Sequence, residues 1–261
     1  MIYGFAKMIL KLIFEKPEYF ALCRDVKTAR HEMDETYKAN RGPAPDDLIR
    51  QLQLSHQLAS DLRIPSFYPY EADDVIATWA TKAKQMSLYT TIVSSDKDLK
   101  QLISDQVDCW DPMKNKRINY QSFVKEYGFD PIFVADYLAL IGDSSDNIPG
   151  VDGIGPKTAL ELIQQYHTIE EMYSLIDQSQ AHKAFSKLSS QRDIAEHSKI
   201  MVSLITVPEM NHLDIATTRL SLDFDVIRYV LIDCYHFDSL EKLIADVEQK
   251  FQKPVMQGLF G

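Results

Sequence analysis

The strongest constraint on how this chain folds is an alternation of helix-like and strand-like segments, with carboxylates recurring just past the strand-like ones. A helix is expected from Tyr3 to Phe14, carrying Phe5, Met8, Ile9 and Leu12 on one face. A short strand follows from Tyr19 to Cys23, with Asp25 beyond it. The prolines of GPAPDD, Pro43 and Pro45, open a helix carrying Leu48, Leu52 and Leu58. A brief strand, Ser66 to Tyr68, precedes Glu71, and a helix starting near Asp73 places Val75, Ile76, Trp79 and Ala83 along one buried stripe. Strand Tyr89 to Ser94 leads into Asp96, a helix from Leu99 to Ile103 follows, and strand Val107 to Trp110 completes the series. Such alternation builds an α/β fold with a mainly parallel sheet covered by helices. Ligands of these sheets gather beyond the carboxyl ends of the strands, which is where Asp25, Glu71 and Asp96 fall.

Among the carboxylates between Tyr70 and Asp146, seven stand where a metal-dependent nuclease would want them: Glu71, Asp73 and Asp74 in YEADD, Asp96 and Asp98 in SSDKDL, and Asp143 and Asp146 in GDSSDNIPG. Asp25 is the eighth. Hard cations such as Mg²⁺ and Mn²⁺ prefer oxygen ligands, and a pair of them clamps a phosphate while activating water. Adjacent Asp73 and Asp74 cannot share one helical direction, and one acid of such a pair ordinarily serves as an N-cap or first-turn residue. Acids at three successive strand ends favour a metal site, and with it a phosphodiesterase, over a merely acidic surface.

The formal net charge of −10 argues weakly against a nucleic-acid partner. Cations held by a reserved cluster of acids reverse that local field, however. Positive charge collects in one stretch, where Arg24, Lys27, Arg30, Lys38 and Arg41 accompany His31 and Tyr37. Taken alone, this stretch reads equally well as a phosphate contact or as a solvated surface. The three cysteines, Cys23, Cys109 and Cys234, stand far apart in apolar surroundings and suit buried free thiols of a reducing, cytoplasmic compartment. The seven histidines are equally dispersed, which leaves a zinc cluster almost nothing to stand on. No segment reaches the roughly 18 apolar residues of a membrane span. The opening MIYGFAKMILKLIFEKPEY scatters its basic residues through the apolar part, unlike a signal peptide.

From about Asp130 the texture turns helical. Pro131 to Ile141 reads as a helix containing Phe133, Val134, Tyr137 and Leu138, followed by GDSSDNIPGVDGIGPKTALELIQQY. Gly150, Gly153 and Gly155 punctuate that segment, and a helix begins at Pro156. Backbone amides of a glycine turn feeding a helix start bind phosphate without reading bases. Lys157 adds a charge-assisted contact there. No strand immediately precedes the glycines, so the pattern is a helix–hairpin–helix and not a dinucleotide fingerprint; an ordinary glycine-rich turn between helices is the alternative. Further helices are expected over Asp193 to Leu204, Val226 to Tyr235 and Leu240 to Lys250.

Four segments in this order, YKANR (37–41), YEADDVIATWA (70–80), SSDKDLKQLI (94–103) and DYLALIGDSSDNIPGVDGIGPKTA (136–159), resemble the 5′-nuclease domain of bacterial DNA polymerase I and its free-standing relatives, the flap endonuclease and 5′–3′ exonuclease family. The resemblance runs from Ile2 to roughly Phe237. It implies a PIN-like catalytic domain over 1–130 with a helical arch at about 27–50. It further implies a helical DNA-binding domain over 131–250 with its hairpin motif at 143–165, and a tail over 251–261. Residue by residue, it implies metal ligands at Asp25, Glu71, Asp73, Asp74, Asp96, Asp98, Asp143 and Asp146. Arg30, Lys38 and Arg41 match positions that steer and activate the scissile phosphate. Tyr37 joins the DNA contacts, and Gly153, Gly155 and Lys157 match a turn that grips duplex, often with a bound potassium ion. The family begins with a strand bearing an aspartate, upstream of the point that Met1 matches, so the chain is expected to be N-terminally shortened and to lack that strand. DVKTARHE is also about two residues shorter than the family's link before the arch arginine.

The function implied is metal-dependent hydrolysis of DNA at a 5′ end or flap in replication and repair, by a monomer using two Mg²⁺ or Mn²⁺ ions. The alternative is a catalytically reduced DNA-binding fragment of the same family. A phosphatase acting on small molecules would explain the acids but leave the hairpin and the basic stretch without a purpose. The tail VMQGLFG, with Gln257, Leu259 and Phe260, loosely resembles peptides by which bacterial replication proteins dock on the sliding clamp.

Overall fold

The computed structural model describes residues 1–26, 29–178 and 182–252. In chain order the first half holds α1 (Ile2–Phe14), β1 (Leu22–Cys23), α2 (Ala29–Met33), α3 (Asp46–Asp61), β2 (Ser66–Phe67), α4 (Ala72–Gln85), β3 (Thr90–Val93), β4 (Val107–Asp111) and β5 (Lys116–Ile118). Helices then take over: α5 (Tyr120–Tyr127), α6 (Val134–Ile141), α7 (Pro156–Tyr166), α8 (Ile169–Asp177), α9 (Phe185–Ser190), α10 (Arg192–Val202), α11 (Phe224–Arg228) and α12 (Glu241–Gln252). The expected α/β plan holds, with β1 parallel to β2 and β3 parallel to β4. β5 is an addition, antiparallel to β4. The Asp111 side chain accepts from the Met113 and Lys114 amides, and Asn115 takes φ +48°, which turns the chain back on itself. Three residues, of which only Ile118 is buried, are too short a run for alternation to betray them.

Packing divides the chain into two compact units interleaved along the sequence. One takes Met1–Arg24, Pro43–Phe67 and the described residues from Leu213 onward. Its core joins Ile9, Leu10 and Ile13 of α1, Leu58 of α3, Ile227 of α11, and Ile244 and Val247 of α12. The stripe expected on α3 is corrected here. Leu48 and Leu52 are 41 % and 44 % exposed, because the buried face of the helix is confined to Ser55, Leu58 and Ala59 in its second half. The strand expected from Tyr19 shrinks to Leu22–Cys23, with Tyr19 making only an isolated bridge to Arg219. The helix expected from Val226 instead gives way to a π-helical stretch, Tyr229–Cys234. Cys234 is exposed and Cys23 half-buried, so of the three thiols only Cys109 is the buried one expected.

The other unit takes Asp25–Gly42 and Tyr68–His212. Ile92 of β3 and Cys109 of β4 lie in its core with Leu99, Leu138 and Leu140, continuous with Leu162 and Ile163 of α7 and Met172 of α8. The helix expected from Leu99 is a 3₁₀ turn, Asp98–Leu102. Among the described residues no helix is long and apolar enough to cross a membrane. Residues 253–261, where the clamp-docking expectation fell, lie outside the described residues, as does Lys27.

Candidate metal centre

Two glycines shape the loop that carries Asp143 and Asp146. Gly142 has φ +73°, and a Cβ there would lie 2.5 Å from the Gly150 nitrogen. A Cβ on Gly150 would sit 2.4 Å from the Ile141 carbonyl carbon. The backbone thus passes itself at touching distance, which only glycine permits. Inside the crossing, the Asp143 amide donates to the Ile148 carbonyl at 2.8 Å and the Ile148 amide donates back at 2.9 Å. Ser145 donates its amide and its hydroxyl to Asp143 Oδ1, at 2.9 and 2.7 Å. The Asp143 carboxylate is therefore fixed by its own loop.

Asp98 meets this loop from the other side. Asp96 Oδ1 accepts from the Asp98 amide at 2.9 Å, starting the 3₁₀ turn and aiming Asp98 inward. Ligand oxygens of Asp98, Asp143 and Asp146 all lie within 4.8 Å of one another, the one such group of three or more among the described residues. Asp98 Oδ1 is buried without a hydrogen-bond partner. Burial first, and then the charges of Asp96 and Asp143, push the Asp98 carboxyl up to about 7. An orphaned carboxylate oxygen facing two further carboxylates fits a hard cation, and the all-oxygen donor set suits a divalent ion of the Mg²⁺ type. Asp73, half-buried in the first turn of α4, is pushed up to about 6 by burial and by the charges of Asp96, Asp25 and Asp74. Asp25 Oδ1 accepts from the Ala72 amide at 3.2 Å at the start of that helix.

Basic side chains thread among these acids. Lys97 Nζ lies 2.9 Å from Asp143 Oδ1. Arg41 hydrogen-bonds Asp146, and its Nε reaches the Ser145 carbonyl at 3.3 Å. Lys38 Nζ stands 3.3 Å from Glu71 and 3.8 Å from Asp146. Its backbone is left-handed, with φ +55°, and its amide donates to the Asp146 carbonyl at 2.8 Å. Asn40 and Asn147 add side-chain bonds to the Ser144 and Thr36 carbonyls, at 2.7 and 2.8 Å, so segment 36–41 and loop 144–147 are laced together. Tyr37 is 5 % exposed, and its hydroxyl donates to Glu71 at 3.1 Å. Burial, then Glu71 and Asp146, raise the phenol's pKa far above its ordinary value. Arg30 is buried on Asp74, with Nη1 at 2.5 Å and Nη2 at 2.9 Å from its two oxygens. Burial opposes its charge, but the Asp74 bond prevails and raises its pKa.

Of the eight expected ligands, the structure thus gathers Asp98, Asp143 and Asp146 into one group. Glu71 and Asp74 are engaged by Arg30, Tyr37 and Lys38. Asp96 and Asp25 are exposed. Farther along, Gly153 takes φ +76°, Gly155 is the N-cap of α7, and Lys157 is exposed in that helix's first turn. Sequence reasoning missed Lys97, although it stands between two acids in SSDKDL. It also missed Lys187, whose ammonium donates to the Gly153 carbonyl at 2.6 Å with no local signal in sequence.

Comparison with known proteins identifies the family and the fold. Residues 1–128 match the family model for the 5′–3′ exonuclease N-terminal resolvase-like domain, and residues 129–222 that for the 5′–3′ exonuclease C-terminal SAM fold. The chain is 32 % identical over 269 residues to a 5′–3′ exonuclease of Aquifex aeolicus, covering 99 % of this chain and 89 % of that protein. It is 35 % identical over 215 residues to DNA polymerase I of Rhizobium leguminosarum, covering 78 % of this chain and 21 % of that protein. The chain therefore spans about a fifth of that polymerase. Among solved structures, the bacteriophage T5 D15 flap endonuclease in a pseudo-enzyme–product complex with DNA and metal ions superposes with a TM-score of 0.66 at 18 % identity, covering 95 % of this chain and 92 % of that one. The catalytic core of Rad2 in complex with DNA substrate superposes with a TM-score of 0.59 at 21 % identity, covering 94 % and 84 %. At these identities the two structures establish the fold: a mixed α/β arrangement with helices about the sheet and a helical C-terminal region.

Proposed function

The chain belongs to the 5′–3′ exonuclease family, and from that premise we propose that it hydrolyses phosphodiester bonds of DNA at a 5′ end or flap with the help of divalent cations. The convergence of Asp98, Asp143 and Asp146, with Asp98 Oδ1 buried and unpartnered, carries this reading. When bound, Mg²⁺ or Mn²⁺ supplies Lewis acidity at the phosphate and lowers the pKa of water. In a two-cation arrangement, Asp98, Asp143 and Asp146 would hold one ion, and Asp73 and Asp96, with Asp25, Glu71 and Asp74, would serve the other. Lys38 and Arg41, already beside the carboxylates, counter charge that develops on the scissile phosphate. Tyr37 acts indirectly, fixing Glu71 and supporting Lys38, whose ammonium lies 4.6 Å from the ring centroid. Arg30 orders Asp74 and with it the start of α4.

The duplex is held elsewhere, by Gly153, Gly155 and Lys157 at the start of α7, through phosphate contacts that read no bases. The potassium ion that the resemblance implies at that turn would have to displace the Lys187 ammonium from the Gly153 carbonyl. The same proposal includes a division of labour between a catalytic part over 1–130 and a DNA-holding part over 131–250, acting as a monomer. Clamp docking by the tail is a separate proposal, tested by binding of a peptide spanning 253–261 to purified clamp.

The test of function is release of short products from 5′-labelled flap DNA with Mg²⁺ or Mn²⁺. EDTA should stop it, and Asp143→Asn with Asp146→Asn should impair cleavage far more than duplex affinity. Undiminished cleavage in EDTA, or by the double variant, overturns the proposal.

A further inference from the structure

Among the described residues, Lys97 is the one basic side chain that reaches Asp143, and it does so on an oxygen that is already crowded. Asp143 Oδ1 accepts from the Ser145 amide, the Ser145 hydroxyl and the Lys97 ammonium at 2.9, 2.7 and 2.9 Å. The two serine bonds come from the loop itself and are locked by the Gly142–Gly150 crossing. The lysine bond is different in kind. Lys97 begins from the residue before the 3₁₀ turn, and its side chain is 45 % exposed, whereas that of Asp143 is 2 % exposed. The carboxylate cannot leave, but the ammonium can swing into solvent at little cost, since a half-exposed ion pair is weak.

A divalent cation and Lys97 therefore bid for the same carboxylate, and two cations cannot share it closely without strong repulsion. Resting on the metal reading above, we propose that Lys97 is a resident counter-cation of Asp143 that yields to a divalent ion, so that it steadies the carboxylate cluster without metal and weakens metal binding. Arg41 and Lys38 do not duplicate this role, because they reach Asp146 and Glu71 instead. Nor does Lys97 duplicate theirs. It leaves from the residue before the 3₁₀ turn, whereas they belong to segment 36–41.

The experiment compares the parent with Lys97→Met, which keeps the stem and removes the charge, and Lys97→Arg, which keeps the charge. Mn²⁺ binding is measured by calorimetry, and melting temperature is measured in EDTA and in saturating Mn²⁺. Lys97→Met should bind Mn²⁺ about three- to tenfold more tightly. It should melt roughly 2–4 °C lower in EDTA and match the parent in Mn²⁺, while Lys97→Arg tracks the parent in all three. A Lys97→Met protein that binds Mn²⁺ with parental or lower affinity overturns the inference and leaves the metal reading intact. A melting temperature lowered equally in EDTA and in Mn²⁺ also overturns it, because that is the mark of a purely structural lysine. Absence of saturable Mn²⁺ binding by the parent overturns the metal reading and the inference together.

Discussion

Arg30 and Asp74, 44 residues apart, meet through two guanidinium nitrogens on two carboxylate oxygens, at 2.5 and 2.9 Å. Both side chains are buried, at 8 % and 0 % exposure. Arg30 also donates to the Met201 and Ser203 carbonyls, at 3.0 and 2.7 Å, and its Nη1 lies 3.4 Å from Glu71, while Asp74 Oδ1 accepts from the Ile205 amide at 3.0 Å. One ion pair thus fastens the start of α4 to the chain leaving α10. A fork of this geometry belongs to arginine alone, because lysine offers a single point charge.

Removing one partner of such a pair leaves a buried charge uncompensated. Arg30→Met should therefore cost about 3–5 kcal/mol of unfolding free energy, and adding Asp74→Leu should recover much of it. Urea denaturation of the parent, Arg30→Met and the double variant measures both quantities. An Arg30→Met midpoint equal to the parent's would show that the pair has no structural weight and would return Arg30 to a direct phosphate role.

Carboxylate crowding at the candidate metal centre opposes folding when no cation is present. Asp98→Asn removes the charge whose oxygen has no partner. The variant should melt higher than the parent in EDTA while losing the rise in melting temperature that the parent shows on adding Mn²⁺. Thermal denaturation in the two conditions decides it, and an Asp98→Asn protein that keeps the full Mn²⁺-induced rise removes Asp98 from the ligand set.

The thiols differ enough in burial to be told apart chemically. Burial, with the charge of Asp108, pushes the Cys109 thiol up to about 12. The unfolded chain releases this proton near the ordinary value of 9, so between about 9 and 12 the folded state binds more protons. The contribution of Cys109 to stability is therefore complete below pH 9 and is lost as pH rises toward 12. At pH 8 a thiol reagent should modify exposed Cys234 rapidly and half-buried Cys23 more slowly. Cys109 should react only on unfolding, and Cys109→Ala should flatten the alkaline fall in stability. Fast native-state labelling of Cys109 would contradict its placement in the core.

The positions of the acids were legible because each is tied to a local pattern: Asp96 to the strand before it, Asp143 and Asp146 to a glycine-bounded loop. Their partners were not. Arg30 reaches Asp74, Lys38 reaches Glu71 and Arg41 reaches Asp146 across separations of 44, 33 and 105 residues, and no helical or strand period reports on such pairings. The same limit explains Leu48 and Leu52. Their spacing marks a helix face, but only the packing of the unit decides how far along the helix that face is covered. Tyr37 shows the converse error of reading a tyrosine among basic residues as a surface group, when its ring fills the core and its hydroxyl serves a buried glutamate.

The glycine turn before α7 is held from behind by two side chains. Lys187 donates its ammonium to the Gly153 carbonyl at 2.6 Å. Gln191 accepts from the Asp152 amide at 2.7 Å and donates to the Asp152 carbonyl at 3.2 Å. A monovalent cation at this turn would need carbonyl oxygens of the same kind, so Lys187 would compete with potassium for Gly153. In the parent, duplex binding should therefore be similar in K⁺ and Na⁺ at equal ionic strength. Lys187→Met should bind duplex more weakly across all sequences, because the turn loses a support. The variant should also gain a preference for K⁺, which can take over the carbonyl the lysine has left. The side chain reaches the surface, so the melting temperature should fall by no more than roughly 2–4 °C. Salt-matched binding titrations with a fluorescent duplex read all of this. A parent that already prefers K⁺ several-fold, or a Lys187→Met variant indifferent to the choice of cation, would show that Lys187 does not occupy a cation position at the hairpin.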